Sequence, residues 1–113
     1  MRREFRIKKS AEIQDVRQHG KSISHPMVVY LALAKDSSEV RVAVAAGKSI
    51  GNAVQRNRAK RLLRAAVNPL IKDFRNGRDI LLLARAETNQ GNSESIRNAI
   101  RKMAIKTGDI EEL

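Results

Sequence analysis

Between Asp79 and Arg85 runs an unbroken aliphatic stretch, Ile80, Leu81, Leu82 and Leu83 followed by Ala84. It limits the possible folds more than any other feature of the chain. Successive side chains of a strand point to opposite faces, so four aliphatics in a row make both faces apolar. The stretch reads as a short strand, either buried on both faces or packed beneath helices. The rest of the chain must supply its cover. Met27 to Leu33 is a second apolar run, rich in β-branched residues, and reads as a strand. Val40, Val42 and Val44 alternate with Arg41 and Ala43, the pattern of a half-buried strand, expected to lie antiparallel to its predecessor.

Helical spacing accounts for the remainder. Ser10 as N-cap and Gly20 as stop bracket a short helix with Ile13 and Val16 on one side. Residues 52–68 form a second helix: Ala59, Leu62, Leu63, Ala66 and Val67 fall within about 140° of one another at helical periodicity. Pro69 starts a further turn, and Asn76-Gly77 breaks the chain. Ser93 is the expected N-cap of a last helix, with Ile96, Ala99, Ile100, Met103 and Ala104 along one stripe. The order is α-β-β-α-β-α, which predicts an α+β two-layer sandwich with three or more strands and helices packed on the sheet. At 113 residues this is one domain, with residues 1–9 a basic arm and residues 107–113 an acidic, frayed tail.

The core must be aliphatic, because the chain has two Phe, one Tyr and no Trp. It has no Cys, which excludes disulfides and thiolate metal sites and fits a reducing compartment. No apolar run approaches the roughly 18 residues needed to span a bilayer. The basic N-terminus has no hydrophobic stretch behind it and is not a secretory signal. A cytoplasmic location is the expectation.

The formal net charge is +11, and it is unevenly placed. Residues 1–64 hold 15 Lys and Arg against 5 Asp and Glu; residues 65–113 hold 8 against 7. A polyanion is the natural partner. Nucleic acid fits better than membrane, since no basic segment carries a bulky apolar face with aromatics. The excess peaks on the second helix, where Arg56, Asn57, Arg58, Lys60, Arg61 and Arg64 follow one another without an acid. Asn57, Lys60, Arg61 and Arg64 lie opposite or on the shoulder of the apolar stripe, and Arg58 on the other shoulder. Arg56 lies at the stripe's edge, where its stem packs and its guanidinium reaches out. A merely solvated helix face normally mixes Glu with Lys at i, i+4. Here like charges crowd, and Arg, the residue suited to bidentate phosphate contacts, outnumbers Lys four to one.

The run Lys48, Ile50, Gly51, Asn52, Ala53, Val54, Arg56, Asn57, Arg58, Lys60 and Arg61 resembles the signature helix of the bacterial ribonuclease P protein family, with its Arg-Asn-Arg core. The likeness extends over nearly the whole chain, including residues 6–23 and 79–85. It implies a four-stranded sheet with a left-handed βαβ crossover, an exception to the usual handedness. It also implies a protein that binds a large catalytic RNA and helps it remove the 5′ leader from precursor tRNA. Chemistry would belong to the RNA and its divalent metal, magnesium, bound mainly by RNA; the sequence does not locate the metal sites. The resemblance assigns Lys48, Asn52, Arg56, Asn57, Arg58, Lys60, Arg61 and Arg64 to RNA binding. It assigns Ile13, Arg17 and Tyr30 to a cleft between the first helix and the sheet that takes the single-stranded leader. The protein is expected to be monomeric in the holoenzyme.

Three departures matter. Ile13 and Arg17 stand where relatives often carry aromatics, so guanidinium stacking or phosphate pairing must replace base stacking. Tyr30 is the cleft's one candidate aromatic, and a register shift of one residue would turn it to the opposite face. Ser49 stands where a second lysine is frequent, and Ala59 where a larger aliphatic is usual.

Autonomous nuclease chemistry has little to rest on. His19 sits at a helix end and His25 before Pro26; Asp36, Glu39, Asp73 and Asp79 are expected at turns or element ends. No paired-acid spacing, metal-ligand cluster or phosphate-binding Gly-rich loop is present. The reading from another class is a structural RNA-binding domain of ribosomal type, which composition alone does not separate from a ribonucleoprotein enzyme subunit.

Overall fold

The structure is a computed structural model, and residues 2–112 are described. Three helices, α1 (Ser10–His19), α2 (Ala53–Val67) and α3 (Ser93–Lys106), pack on four strands. These are β1 (Lys21–His25), β2 (Val28–Ala34), β3 (Val40–Ala45) and β4 (Arg78–Ala84). Short 3₁₀ turns at Arg3–Phe5, Lys48–Ile50, Asn68–Asp73 and Thr88–Gln90 join them. The sheet is mixed, in the order β1-β2-β4-β3: β1 and β4 pair antiparallel with β2, and β3 pairs parallel with β4. Parallel neighbours need a crossover, and α2 provides it.

The alternation of β2 and β4 divides the core in two. Val28, Tyr30, Ala32, Ile80 and Leu82 face α2 and α3, and join Leu63, Val67, Leu70, Ile96 and Ile100 in the larger cluster. Leu31 and Leu81 face the other way, toward Val16 of α1 and Ile7 of the arm. The aliphatic run of β4 is thus buried on both faces, and Leu81 and Leu82 are both fully enclosed. Burial of each contributes about 1.5–3 kcal/mol.

Four readings of the sequence are corrected. First, Lys21–His25 is a strand of its own, hydrogen-bonded to β2 across a tight turn. Its two serines and exposed Lys21 suppress the apolar signal, as suits an edge strand with one open side. Second, β3 runs opposite to β2 but is not its neighbour, because β4 is inserted between them. Third, Ser10 and Ser93 are the first helical residues rather than N-caps. Lys9 precedes α1 without a side-chain cap, and Asn92 caps α3 in a reciprocal pair with Ser95. Fourth, the tail is packed from Thr107 to Ile110. Asp109 and Ile110 are buried, and Ile110 bridges to Phe74. Leu113 lies outside the described residues, as does Met1 of the arm.

Gly20 ends α1 where the chain turns into β1, a crowded place for a side chain. A Cβ there would stand 2.5 Å from the Val16 carbonyl oxygen and 3.0 Å from that of Ala32. From there the chain enters β1, whose first residue, Lys21, pairs with Ala32.

Candidate nucleic-acid interface

The loop before α2 is shaped to present the helix. Gly51 takes φ 132°, a region closed to most L side chains, and a Cβ there would collide with the Gln55 side chain. Asn52 then caps α2: its Oδ1 accepts from the Gln55 N–H at 2.9 Å, and Gln55 Oε1 accepts from the Asn52 N–H at 2.9 Å. The Gln55 carbonyl accepts from Asn89 Nδ2 at 3.0 Å, which ties the loop after β4 to the start of α2. At the other end Arg97 donates to the carbonyls of Ala65 and Ala66, a favourable cation at a helix C-terminus.

Ala59, Leu63, Ala66 and Val67 are buried as the periodicity predicts, with Leu62 partly so. Lys48, Asn52, Asn57, Arg58 and Arg61 are exposed, and Lys60 and Arg64 half-buried. Arg56 is half-buried at the edge of the stripe. Its Nη1 donates to the Gly51 carbonyl at 3.1 Å, so the guanidinium is folded back onto the loop and braces it. Burial, followed by the nearby charge of Arg6, lowers the proton affinity of the Arg64 guanidinium. Arg6 of the arm therefore lies near the end of α2, a neighbour that sequence spacing does not show. Ser49 is exposed in the 3₁₀ turn beside Lys48.

What distinguishes this ridge is the crowding of cations on one helix with no acid among them. Some cations elsewhere are matched: Lys35 with Asp15, Arg41 with Glu12 and Asp79, Arg78 with Asp109, Arg101 with Asp73. Among the described residues no ion pair involves Lys48, Arg56, Arg58, Lys60, Arg61 or Arg64. Val54, in the first turn of α2, is 74% exposed and is the one large hydrophobic left in solvent among the described residues. Its exposure follows from the helical wheel, since it lies off the apolar stripe, but the sequence reading did not single it out.

On the opposite sheet face α1 borders a shallow apolar strip. Ile13, Val29, Leu33 and Leu83 are partly buried there, and Arg17 is exposed on the helix. Tyr30 is not on this face. It is fully buried against α2 and α3, and its hydroxyl donates to Asp109 Oδ2 at 2.7 Å. Burial and the Asp109 carboxylate push its ionisation far above the ordinary range. The assignment of Tyr30 to the cleft is therefore corrected: Val29, Leu31 and Leu33 take the α1 side, and Tyr30 the other. The strip by α1 is aliphatic, with Arg17 as its cation.

The groups suited to acid–base work are otherwise engaged. His25 Nδ1 accepts from the Met27 N–H at 3.0 Å within the β1–β2 turn. His19 Nδ1 lies 3.6 Å from Asp15, four residues earlier on α1. Asp79 lies at the start of β4, as expected, and is buried and bound by Arg41. No group of three or more His, Asp or Glu among the described residues is placed to hold a metal ion.

A family profile described as Ribonuclease P matches residues 1–108. The chain is 34% identical over 109 residues to the ribonuclease P protein component of Oceanobacillus iheyensis, covering 96% of this chain and 90% of that one. It is 33% identical to the component from Bacillus cereus strain B4264, over 96% and 95% of the two chains. The fold is similar to the Staphylococcus aureus RNase P protein, with a TM-score of 0.76 at 25% identity over 96% and 98% of the chains. A mutant of that protein, described as defective in mRNA degradation activity, superposes with a TM-score of 0.77, also at 25% identity, over 94% and 89%. The Thermotoga maritima RNase P protein, solved with 1-(4-fluorophenyl)-2-thiourea, shares the fold with a TM-score of 0.74 at 20% identity, over 87% of this chain and 95% of that one.

Proposed function

The chain belongs to the ribonuclease P protein family and is a subunit in tRNA 5′ processing; from that premise we propose how its two faces divide the work. The α2 ridge binds the ribonuclease P RNA. The strip between α1 and the sheet takes the 5′ leader of precursor tRNA. The observation that carries this reading is the crowded ridge itself: its cations follow one another without an acid, and among the described residues none of them is in an ion pair. Phosphates supply the missing counter-charge, and Arg58 and Arg61 present forked donors to them. Asn57 adds an acceptor that the cations lack. Val54 places an apolar patch beside these groups, suited to a ribose or to the face of an unstacked base. Arg56 acts mainly by holding the Gly51 loop, so Lys48 and Asn52 keep their places.

Catalysis belongs to the RNA. The buried carboxylates do not fit a magnesium site on the protein: Asp79 is taken by Arg41, and Asp109 by Tyr30 and Arg78. In this reading magnesium is held on the RNA side, and the protein's contribution is to screen phosphates and position the substrate. One protein chain per RNA, in the cytoplasm, is the working arrangement. No helix among the described residues is long and apolar enough to cross a membrane. Nothing in the fold or in these relatives favours a structural domain of ribosomal type.

Reconstitution with a bacterial ribonuclease P RNA tests the proposal. Precursor tRNA should be cleaved only when the RNA is present, and the protein should lower the magnesium required. Because a relative is linked to mRNA degradation, the protein alone should also be tried on mRNA. Cleavage of precursor tRNA without the RNA subunit would overturn the assignment of that chemistry to the RNA, whereas cleavage of mRNA alone would mark a separate activity of the protein.

A further inference from the structure

The Arg41 cluster belongs to neither surface. In the sheet register Leu33, Asp79 and Arg41 lie side by side across β2, β4 and β3, on the face that carries α1. Asp79 is 2% exposed, a costly position for a carboxylate without a partner. Arg41 satisfies it, donating from Nε to Oδ1 at 3.1 Å and from Nη2 to Oδ2 at 2.9 Å. The same guanidinium donates to Glu12 on α1, from Nη1 to Oε1 at 3.3 Å and from Nη2 to Oε2 at 2.6 Å. Glu39 stands 3.8 Å away at the rim. Four of the five N–H groups of Arg41 are used in these bonds, which leaves it poorly equipped to bind phosphate. The planar fork of arginine is what allows one side chain to grip two carboxylates at once.

The clamp matters because little else holds α1. Val16 is the helix's one buried residue, and Ile13 is only partly covered. A second tie joins Lys35 Nζ to Asp15 Oδ2 at 3.3 Å. Both ties fall on the turns that carry Ile13 and Arg17. Glu12 and Arg17 lie on the same ten-residue helix, about one and a half turns apart.

We propose that Glu12, Arg41 and Asp79 form a clamp that sets α1 over the sheet and so fixes the width of the strip that takes the leader. Glu12 and Arg41 are positioning residues and do not touch RNA. This rests on the leader reading given above.

The test is the holoenzyme reconstituted with ribonuclease P RNA, carrying Glu12→Ala or Glu12→Gln. Both variants leave Arg41 with Asp79 and leave the α2 ridge untouched. Affinity is measured for precursor tRNA and for the same tRNA without its leader. Glu12→Ala should lower the precursor-to-mature affinity ratio several-fold, and Glu12→Gln, which keeps a weaker acceptor, should recover part of it. Adding Glu12→Ala to Arg17→Ala should lower the ratio no further than Arg17→Ala alone. Should Glu12→Ala fail to fold, the isosteric Glu12→Gln carries the same comparison. An unchanged ratio, an equal loss for both substrates, or a fully additive double variant would overturn the clamp. If the unmodified holoenzyme itself shows no preference for precursor, the leader reading fails, and the clamp with it.

Discussion

Arg58 and Arg41 are the same side chain in opposite circumstances. Arg41 spends its donors on Glu12 and Asp79 and serves the fold, whereas exposed Arg58 and Arg61 have no carboxylate partner. Arg58→Ala and Arg61→Ala should therefore weaken RNA binding while changing stability by no more than about 0.5 kcal/mol. Normal RNA affinity in both would return the ridge to a solvated face. Asp109 is the contrasting buried case. It accepts from the Tyr30 hydroxyl, the Thr107 hydroxyl and Arg78. Asp109→Ala strands a buried hydroxyl and a half-buried guanidinium and should cost about 3–5 kcal/mol in urea unfolding. A loss under about 1 kcal/mol would show that the network contributes little. The sequence carried no sign of this pairing, because Tyr30 and Asp109 are separated by most of the chain.

At the scale of elements, α2 owes its placement to its first turn. Removing the Asn52 side chain leaves the Gln55 N–H without its acceptor. Asn52→Ala should lower stability by about 1 kcal/mol, read as a shift in melting temperature. No change would mean that water replaces the cap. For α1 the relevant variable is pH. Arg41 holds the Glu12 carboxyl below its ordinary value of 4.5. A depressed folded-state value means the stabilisation is fully present above that ordinary value and is lost as pH falls through the folded one. Glu12→Gln should thus flatten the acid limb of the stability curve while leaving neutral pH less affected in slope. An identical acid limb in both proteins would show that Glu12 is not the titrating group. The helices themselves were legible: the stripe of α2 is buried as its spacing predicts. The caps were less so, because Ser, Asn and Lys before a helix compete on local geometry that spacing alone does not rank.

For the whole molecule, the uneven charge is the governing property. On the proposed reading the N-terminal arm, the α2 ridge and Lys48 face a polyanion, and affinity for the RNA subunit should fall steeply with salt. Each neutralised phosphate contributes about −0.7 to −0.9 to the log–log slope. A slope near zero would rule out an electrostatic interface. The two faces should also separate in such an experiment. Ridge variants reduce the slope, whereas Arg17→Ala should chiefly reduce the preference for precursor tRNA.

Sequence by itself determined the class of the fold, the strand through Leu81 and Leu82, and the opposed apolar and cationic sides of α2. Each follows from local periodicity and charge, which a linear chain displays in full. Only the tertiary structure decided the rest. It inserted β4 between β2 and β3, made an edge strand of Lys21–His25, and turned Tyr30 from the α1 side to the α2 side. It also folded Arg56 back onto Gly51 and joined Glu12, Arg41 and Asp79 through one guanidinium. These are matters of register and of long-range pairing. A shift of one residue reverses a strand's faces at no cost visible in the sequence, and only the packing of both sheet faces selects between the two.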